Sequence, residues 1–207
     1  MNCTLMTHFE SGIKYLIINS GIPCGSRPPD HVPSLIGTNE EPWITRKAIE
    51  FLHKNLTLDM EVLEYGTGSS TIWFSQCTKK VIAVEHHLEW VDYVKSLLPP
   101  QLESKIEIVH IPNTDTGTTI GGDGKYYDDY VNYVRDIKAS FDLISIDGRS
   151  RRQCIINSID KVKKNGFLLI DNSEREDYQP GLQQIPPQWE KNEFPTYLGT
   201  TSIYKHV

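Results

Sequence analysis

One ten-residue stretch constrains the fold of this chain more than any other. An apolar run ends in an acid, is broken by two glycines one residue apart, and continues into a helix-like segment, over the residues Val62-Leu63-Glu64-Tyr65-Gly66-Thr67-Gly68-Ser69-Ser70-Thr71. This order predicts a strand, a tight turn and a helix N-terminus. Because glycine has no Cβ, Gly66 and Gly68 would let a ligand press against the backbone. In an open α/β sheet such a turn lies where nucleotide-like ligands bind, so it predicts a cofactor pocket.

The rest of the chain alternates between strand-like and helix-like segments. Strands are predicted over 60–65, 81–85, 106–111, 141–147 and 167–171. Helices are predicted from Pro42-Trp43, after the glycine turn, through 90–98, over 126–139, and over 152–163 with an end at Asn165-Gly166. Such alternation predicts parallel strands with right-handed crossovers, and a last β-like run over 201–204 predicts a terminal hairpin.

Two regions lack a predicted helix or strand. Residues 1–42 are interpreted as an N-terminal extension or strap, in which the many prolines and glycines of 19–38 predict a loop. The stretch 112–125, rich in Gly, Thr and Asp, is a loop to which the sequence assigns no structure; long loops of this kind are usually functional or disordered. The main folded domain, which contains the predicted cofactor pocket, is therefore predicted over 43–207.

Composition excludes several classes of protein. The 207 residues suit a single domain, and 38% hydrophobic with 23% charged residues is typical of globular proteins. A net charge of −6 makes nucleic acid a poor default partner. Four scattered cysteines without a CxxC pair indicate reduced thiols, and no apolar run reaches membrane-spanning length. We therefore expect a cytoplasmic protein without a nucleic-acid or membrane partner; the oligomeric state is left open.

The kind of cofactor follows from two acids and one missing glycine. Glu85 ends the second predicted strand, 21 residues after Glu64, where an acid accepts hydrogen bonds from both hydroxyls of a ribose. This position suits a nicotinamide dinucleotide as well as an adenosyl group. A dinucleotide turn has a third glycine, however, and here Thr71 stands in its place. Glu64 would also repel a pyrophosphate and attract an ammonium group, so a cationic adenosyl ligand is favoured.

These residues resemble a known family. The segment 64–70 followed by Val84-Glu85-His86 is similar to the cofactor motifs of class I S-adenosylmethionine-dependent methyltransferases, and 142–149 and 164–172 are similar to that family's fourth and fifth strands. The resemblance covers roughly 43–205. It implies an α/β fold: a doubly wound, mostly parallel seven-stranded sheet with a C-terminal antiparallel hairpin. It also implies a set of cofactor-binding residues: Glu64, Gly66, Gly68, Ser69 and Ser70 at the methionine end, Glu85 at the ribose, and His86, Asn113 and Asp147 nearby.

A second group of residues is predicted to face the methyl acceptor. Asp147 and the pair Asp171-Asn172 end neighbouring predicted strands, and their oxygens suit Mg²⁺ or Ca²⁺. They resemble the metal ligands of catechol and caffeoyl-CoA type O-methyltransferases, where the metal orients a substrate hydroxyl. That group has a lysine where this chain has Ser150. The alternative is that both carboxylates cap helices or pair with Arg149 and Arg175.

Positive charge is concentrated around the same predicted strand ends. Residues 147–164 contain six Lys or Arg and two Asp. Arg149, Arg151 or Arg175 could clamp a carboxylate or phosphate, so an anionic acceptor is one expectation. We assign Asp147 and Arg149 as catalytic, and interpret His86 as packing on the cofactor side rather than as a base.

Together these features predict an S-adenosylmethionine-dependent methyltransferase that acts on an oxygen of a small-molecule or sugar-like acceptor, with a divalent cation as a second cofactor. Two other functions remain open at this point. One is a nicotinamide-dependent oxidoreductase on the same fold, and the other is a non-catalytic module that binds adenosylmethionine.

Overall fold

The computed structural model describes residues 42–207, in which seven strands form one sheet. The strands are β1 (Glu61–Tyr65), β2 (Lys80–Glu85), β3 (Ile106–His110), β4 (Phe141–Ile146), β5 (Val162–Ile170), β6 (Glu190–Pro195) and β7 (Thr200–Lys205). The helices are α1 (Arg46–Asn55), α2 (Ser69–Cys77), α3 (Leu88–Ser96), α4 (Asp128–Asp136), α5 (Arg151–Ser158) and the short α6 (Gln179–Leu182). The predicted extension over 1–42 lies almost wholly outside the described residues.

The sheet has the order β3-β2-β1-β4-β5-β7-β6. The first five strands pair in parallel, and β7 lies antiparallel between β5 and β6. The predicted doubly wound, mostly parallel sheet with a C-terminal hairpin is therefore confirmed. From β1 the chain builds outward to β3 and then returns to the other side of β1 with β4. This reversal opens a crevice beyond the carboxyl ends of β1 and β4, where ligands of open α/β sheets bind.

Helices cover both faces of the sheet because successive strand side chains point to opposite faces. In β5, Phe167 and Leu169 pack with α1 and α2, whereas Leu168 and Ile170 pack with α4 and α5. Both sets are nearly or fully buried. This explains why the central strands have continuous apolar sequences: each strand is buried on both sides.

The boundary between α5 and β5 differs from the prediction. The helix predicted over 152–163 ends at Ser158, a 3₁₀ turn covers Ile159–Lys161, and β5 has begun by Val162. Asn165-Gly166, expected to end the helix, lies inside β5, where Asn165 adopts a left-handed φ of 66°. Asn165 nevertheless keeps a sheet contact, because its N–H donates to the carbonyl of His206 at 2.7 Å. Asn-Gly here marks a strand irregularity rather than a helix end.

The loop before α4 has more structure than the sequence could assign. Thr114 and Tyr126 exchange two backbone hydrogen bonds of 2.9 and 3.0 Å. The carboxylate of Asp128 accepts the backbone N–H groups of Thr118 and Thr119 at 3.0–3.3 Å. The start and the middle of the loop are thus held against the residues where α4 begins, and this helix begins two residues later than predicted.

Candidate active site

The turn after β1 has the geometry that its two glycines suggested. Gly66 has a φ of +94°, a conformation that favours glycine, and its N–H donates to the carbonyl of Val84 at 2.9 Å. A Cβ on Gly66 would lie 3.1 Å from the Cα of Gly148, so the turn passes directly against the segment after β4. Gly148 faces the turn in the same way: a Cβ there would lie 2.9 Å from the nitrogen of Gly66 and 2.0 Å from the hydroxyl oxygen of Tyr130.

Glu64 is a buried carboxylate beneath this turn, with a relative exposure of 1%. One carboxylate oxygen accepts from the hydroxyl of Ser70, and the other accepts from the hydroxyl of Thr71 at 2.5 Å. Thr71 also accepts the N–H of Gly68 at 3.0 Å, so it links the glycine turn to the acid. Burial raises the pKa of Glu64 to about 8, despite the two hydroxyl donors. A cation bound beside Glu64 would relieve this cost of burying a negative charge.

Glu85 ends β2 at the same edge and is equally enclosed. Its carboxylate accepts the N–H groups of Thr67, His86 and His87 at 3.1, 2.8 and 3.0 Å. The side chain of His86 adds a contact of 2.6 Å between Nδ1 and a carboxylate oxygen. Burial favours the neutral acid, but the hydrogen bonds and the charge of His86 outweigh it and lower the pKa of Glu85 below its ordinary value. The carboxylate of Glu85, an acceptor of hydrogen bonds, therefore lies at the position predicted to contact the ribose.

Aromatic rings surround His86 on the sheet face covered by α4. The ring centroids of Tyr127 and Tyr130 lie 5.5 and 6.2 Å from that of His86. Tyr127 donates its hydroxyl to Asp123 at 2.5 Å, and the Asn113 side chain is among the groups that act on the same hydroxyl. The structure thus brings together two predicted cofactor residues, His86 and Asn113, through Tyr127. The interpretation of His86 as a packing residue stays a prediction.

A buried guanidinium lies at the predicted acceptor edge. Arg151, whose side chain is 9% exposed, is 2.5 Å from a carboxylate oxygen of Asp147 and 4.0 Å from one of Asp171. It also donates to the side-chain oxygen of Asn172 at 3.4 Å. All three predicted metal ligands therefore do meet, but around an arginine. Burial and the charge of Asp147 raise the pKa of Asp171 above its ordinary value.

The acceptor edge is tied to two further elements. The hydroxyl of Thr201, in β7, donates to Asp171 at 2.8 Å and accepts the N–H of Thr45 at 3.1 Å. Arg175 donates to the side-chain oxygen of Asn172 at 3.0 Å and stacks over the ring of Tyr178 at 5.7 Å. These contacts fix the two residues that follow β5 from both sides.

Arg149 lies on the other side of this edge, half-buried. Burial raises the pKa of Tyr127, and the charge of Arg149 partly offsets this rise; the same charge adds to the hydrogen bonds that lower the pKa of Asp123, so Arg149 lies near the loop before α4. Asp147, Arg149 and that loop therefore share one rim of the crevice. The role of Arg149 and Asp147 in catalysis stays a prediction.

Three residues of this edge were missed from the sequence. Thr71 was noted only as a departure from a glycine pattern, although a threonine three residues after Gly68 fits a helix-capping position. Arg151 was considered as a substrate clamp, and its contact with Asp147 had no helical signal, because Asp147 precedes α5 and Ser150 between them adopts a left-handed φ of 46°. Thr201 had no local signal, because its contact with Asp171 depends on the pairing of β5 with β7.

The fold places these residues among known structures. A methyltransferase-like protein from Silicibacter pomeroyi is 19% identical with a TM-score of 0.58, over 82% of this chain and 91% of that one. An O-methyltransferase from Bacillus cereus, in complex with S-adenosylhomocysteine, is 16% identical with a TM-score of 0.55, over 75% and 76%. An rRNA methylase from Streptococcus thermophilus is 13% identical with a TM-score of 0.58, over 76% and 93%.

The chain has the fold of these methyltransferases. At such identities the likeness concerns the fold, and the sequence matches no protein-family model and no curated protein. Across residues 42–207, no helix is both long and apolar enough to cross a membrane.

Proposed function

We propose that the protein is an S-adenosylmethionine-dependent methyltransferase. The observation that carries this proposal is the buried carboxylate of Glu64 directly beneath the glycine turn. Burial makes the ionised form of this acid costly in the unliganded protein, so a cationic ligand that stabilises the ionised form is favoured, and the ammonium group of adenosylmethionine provides one. Glu85 then holds the ribose at the end of β2, as an acid does at this position in doubly wound folds.

The residues present fit this cofactor. The turn at Gly66 and Gly68 gives the methionine end room against the backbone, Ser69 and Ser70 begin α2 beside it, and His86 and Asn113 lie toward the adenine. When bound, the sulfonium supplies an activated methyl group. The protein then has to align the acceptor with the methyl group and exclude water. Its contribution to the rate of methyl transfer comes from this alignment, and no covalent bond between protein and substrate is needed.

The acceptor is proposed to lie at the edge formed by Asp147, Arg149, Asp171 and Asn172. We propose an oxygen of a small-molecule or sugar-like compound, and an anionic group on it would find Arg149 at the rim. Arg151 does not serve this purpose, because its donors are engaged within the protein. RNA is the competing acceptor, since one of the similar structures is an rRNA methylase; the net charge of −6 favours the small molecule.

Calorimetric titrations with S-adenosylhomocysteine and with NAD test the choice of cofactor. We expect binding of S-adenosylhomocysteine, weakened about tenfold or more by Glu85→Gln, since each lost tenfold corresponds to about 1.4 kcal/mol. Glu107→Gln, an exposed acid on β3 paired with Lys80, is the matched control and should bind normally. Binding of NAD without S-adenosylhomocysteine would support the oxidoreductase instead.

Transfer of a radiolabelled methyl group tests the acceptor. The panel should contain hydroxylated small molecules, sugar phosphates and total RNA, with acid precipitation to separate RNA product from small-molecule product. Label in the soluble fraction supports the proposed acceptor class, and label in the precipitate supports RNA. Cofactor binding without transfer to any member of a broad panel would favour a non-catalytic binding module.

A further inference from the structure

Arg151 uses every donor of its side chain inside the protein. A guanidinium carries five N–H groups. Nε donates to the carbonyl of Gly148 at 3.0 Å, while Nη1 and Nη2 donate to the carbonyls of Asp171 and Asp147, each at 2.8 Å. The two remaining N–H groups face the side chains of Asn172 at 3.4 Å and Asp147 at 2.5 Å.

These partners form an oxygen cage at the ends of β4 and β5. The cage consists of three backbone carbonyls, one carboxylate oxygen and one amide oxygen, with a carboxylate oxygen of Asp171 at 4.0 Å. Hard cations such as Mg²⁺ and Ca²⁺ take the same kind of oxygen ligand. The positive charge that such a cage requires is thus already supplied by the chain.

A divalent ion does not fit this arrangement. The guanidinium already lies between these oxygens, with Nη2 2.5 Å from a carboxylate oxygen of Asp147 and Nη1 3.4 Å from the amide oxygen of Asn172. A metal bound to Asp147, Asp171 and Asn172 would have to lie against the guanidinium. No group of three or more His, Cys, Asp or Glu suited to a metal occurs within residues 42–207.

We propose that Arg151 is a built-in cation that occupies the position of a divalent metal at the acceptor edge. It acts as a positioning residue, because it pairs with Asp147, lies 4.0 Å from Asp171, and holds the ends of β4 and β5 together through the carbonyls of these two residues. The edge is therefore metal-independent. The inference rests on the proposed function only in assuming that the methyl acceptor binds at this edge. Its test does not require methyl transfer.

The test is Mn²⁺ binding, followed by electron paramagnetic resonance of the free ion. We expect the wild-type protein to have no stoichiometric Mn²⁺ site. Arg151→Ala removes the guanidinium but leaves the oxygen cage, so it should gain one site, at least about tenfold tighter than any wild-type binding. Arg152→Ala is the matched control, because Arg152 is the exposed neighbour on α5 and its removal should create no site.

Thermal unfolding covers the case in which Arg151→Ala is too unstable for titration. Added Mn²⁺ should raise the melting temperature of Arg151→Ala by several degrees and leave the wild type and Arg152→Ala unchanged. One Mn²⁺ bound by the wild type and lost in Asp171→Asn would overturn the proposal, as would Arg151→Ala with neither binding nor thermal rescue. Titration of the wild type with S-adenosylhomocysteine separately tests the proposed function, so the two failures are distinguishable.

Discussion

The hydroxyl of Thr71 donates to Glu64 at 2.5 Å while it accepts the N–H of Gly68 at 3.0 Å. One fully buried side chain therefore connects the first turn of α2, the glycine turn and the acid at the end of β1. In dinucleotide-binding turns a glycine occupies this place to allow close packing of helix on strand. Here Thr71 forms hydrogen bonds instead, and the turn is built around a buried carboxyl group.

Replacing Thr71 with valine should destabilise the protein by about 1–3 kcal/mol, since it leaves a buried carboxylate with one donor fewer and the Gly68 N–H without its acceptor. Chemical denaturation measures this change. The control is Thr57→Val, which removes an exposed hydroxyl bonded to Asp59 and should change stability by less than about 0.5 kcal/mol. Equal effects of the two substitutions would show that the Thr71 bridge is not formed.

Glu64 predicts a pH dependence of the unliganded protein. Its folded pKa is about 8 against an ordinary value of 4.5, so the folded state binds a proton more tightly than the unfolded state. The free energy of unfolding should therefore fall as the pH rises between about 4.5 and 8, by at most about 1.4 kcal/mol per unit from this group. In Glu64→Gln this contribution should vanish. The measurement is the difference between the two denaturation profiles, and parallel profiles would contradict the prediction.

Gly148 should be required for cofactor binding, although it follows β4 and the glycine turn follows β1. A Cβ there would lie 2.0 Å from the hydroxyl oxygen of the buried Tyr130 and 2.9 Å from the nitrogen of Gly66, so it would displace the tyrosine ring, the glycine turn or both. Gly148→Ala should weaken S-adenosylhomocysteine about tenfold or more in calorimetry. Gly122→Ala is a suitable control, because a Cβ on Gly122 meets nothing within 4 Å. Normal affinity in Gly148→Ala would mean that the turn is not part of the site.

Arg151 should dominate the stability of the acceptor edge. Removing it leaves the partly buried carboxylates of Asp147 and Asp171 without their cation, and breaking such a pair typically costs about 3–5 kcal/mol. Arg151→Ala should lose about this amount in denaturation experiments, whereas the exposed Arg152→Ala should change by about 0.5 kcal/mol at most. Similar losses in both variants would indicate that the buried contacts of Arg151 add nothing.

Sequence reasoning predicted the sheet because its signals are local. Apolar runs mark β1, β2 and β4, and the glycine turn marks the point where the strand order reverses, so these features were predicted without knowledge of tertiary contacts. The number of seven strands came from the family resemblance instead. The end of α5 was misplaced because an Asn-Gly pair such as Asn165-Gly166 is typical both of a helix end and of an irregularity in a strand. Only the pairing of Asn165 with His206 distinguishes the two.

The site was predicted in part for the same reason. Glu64 and Glu85 are placed by strand ends, which sequence reveals. The grouping of Asp147, Asp171 and Asn172 was also predicted, because they follow neighbouring strands. Their partner was not predicted, since only the folded chain shows that the side chain of Arg151 lies between their oxygens. Thr201 comes from a strand 30 residues beyond Asp171, so its contact required the topology of the hairpin.

The most direct test of the central claim is the number of protons released when S-adenosylhomocysteine, which carries the same ammonium group, binds near pH 7. Calorimetry in buffers of different ionisation enthalpy gives this number. Because Glu64 is largely protonated before binding and must ionise beside the ammonium, we expect release of up to one proton in the wild type. We expect much weaker binding in Glu64→Gln, with no release from this position. Tight binding in both proteins with the same proton count would contradict the claim that the turn is built for a cationic adenosyl ligand.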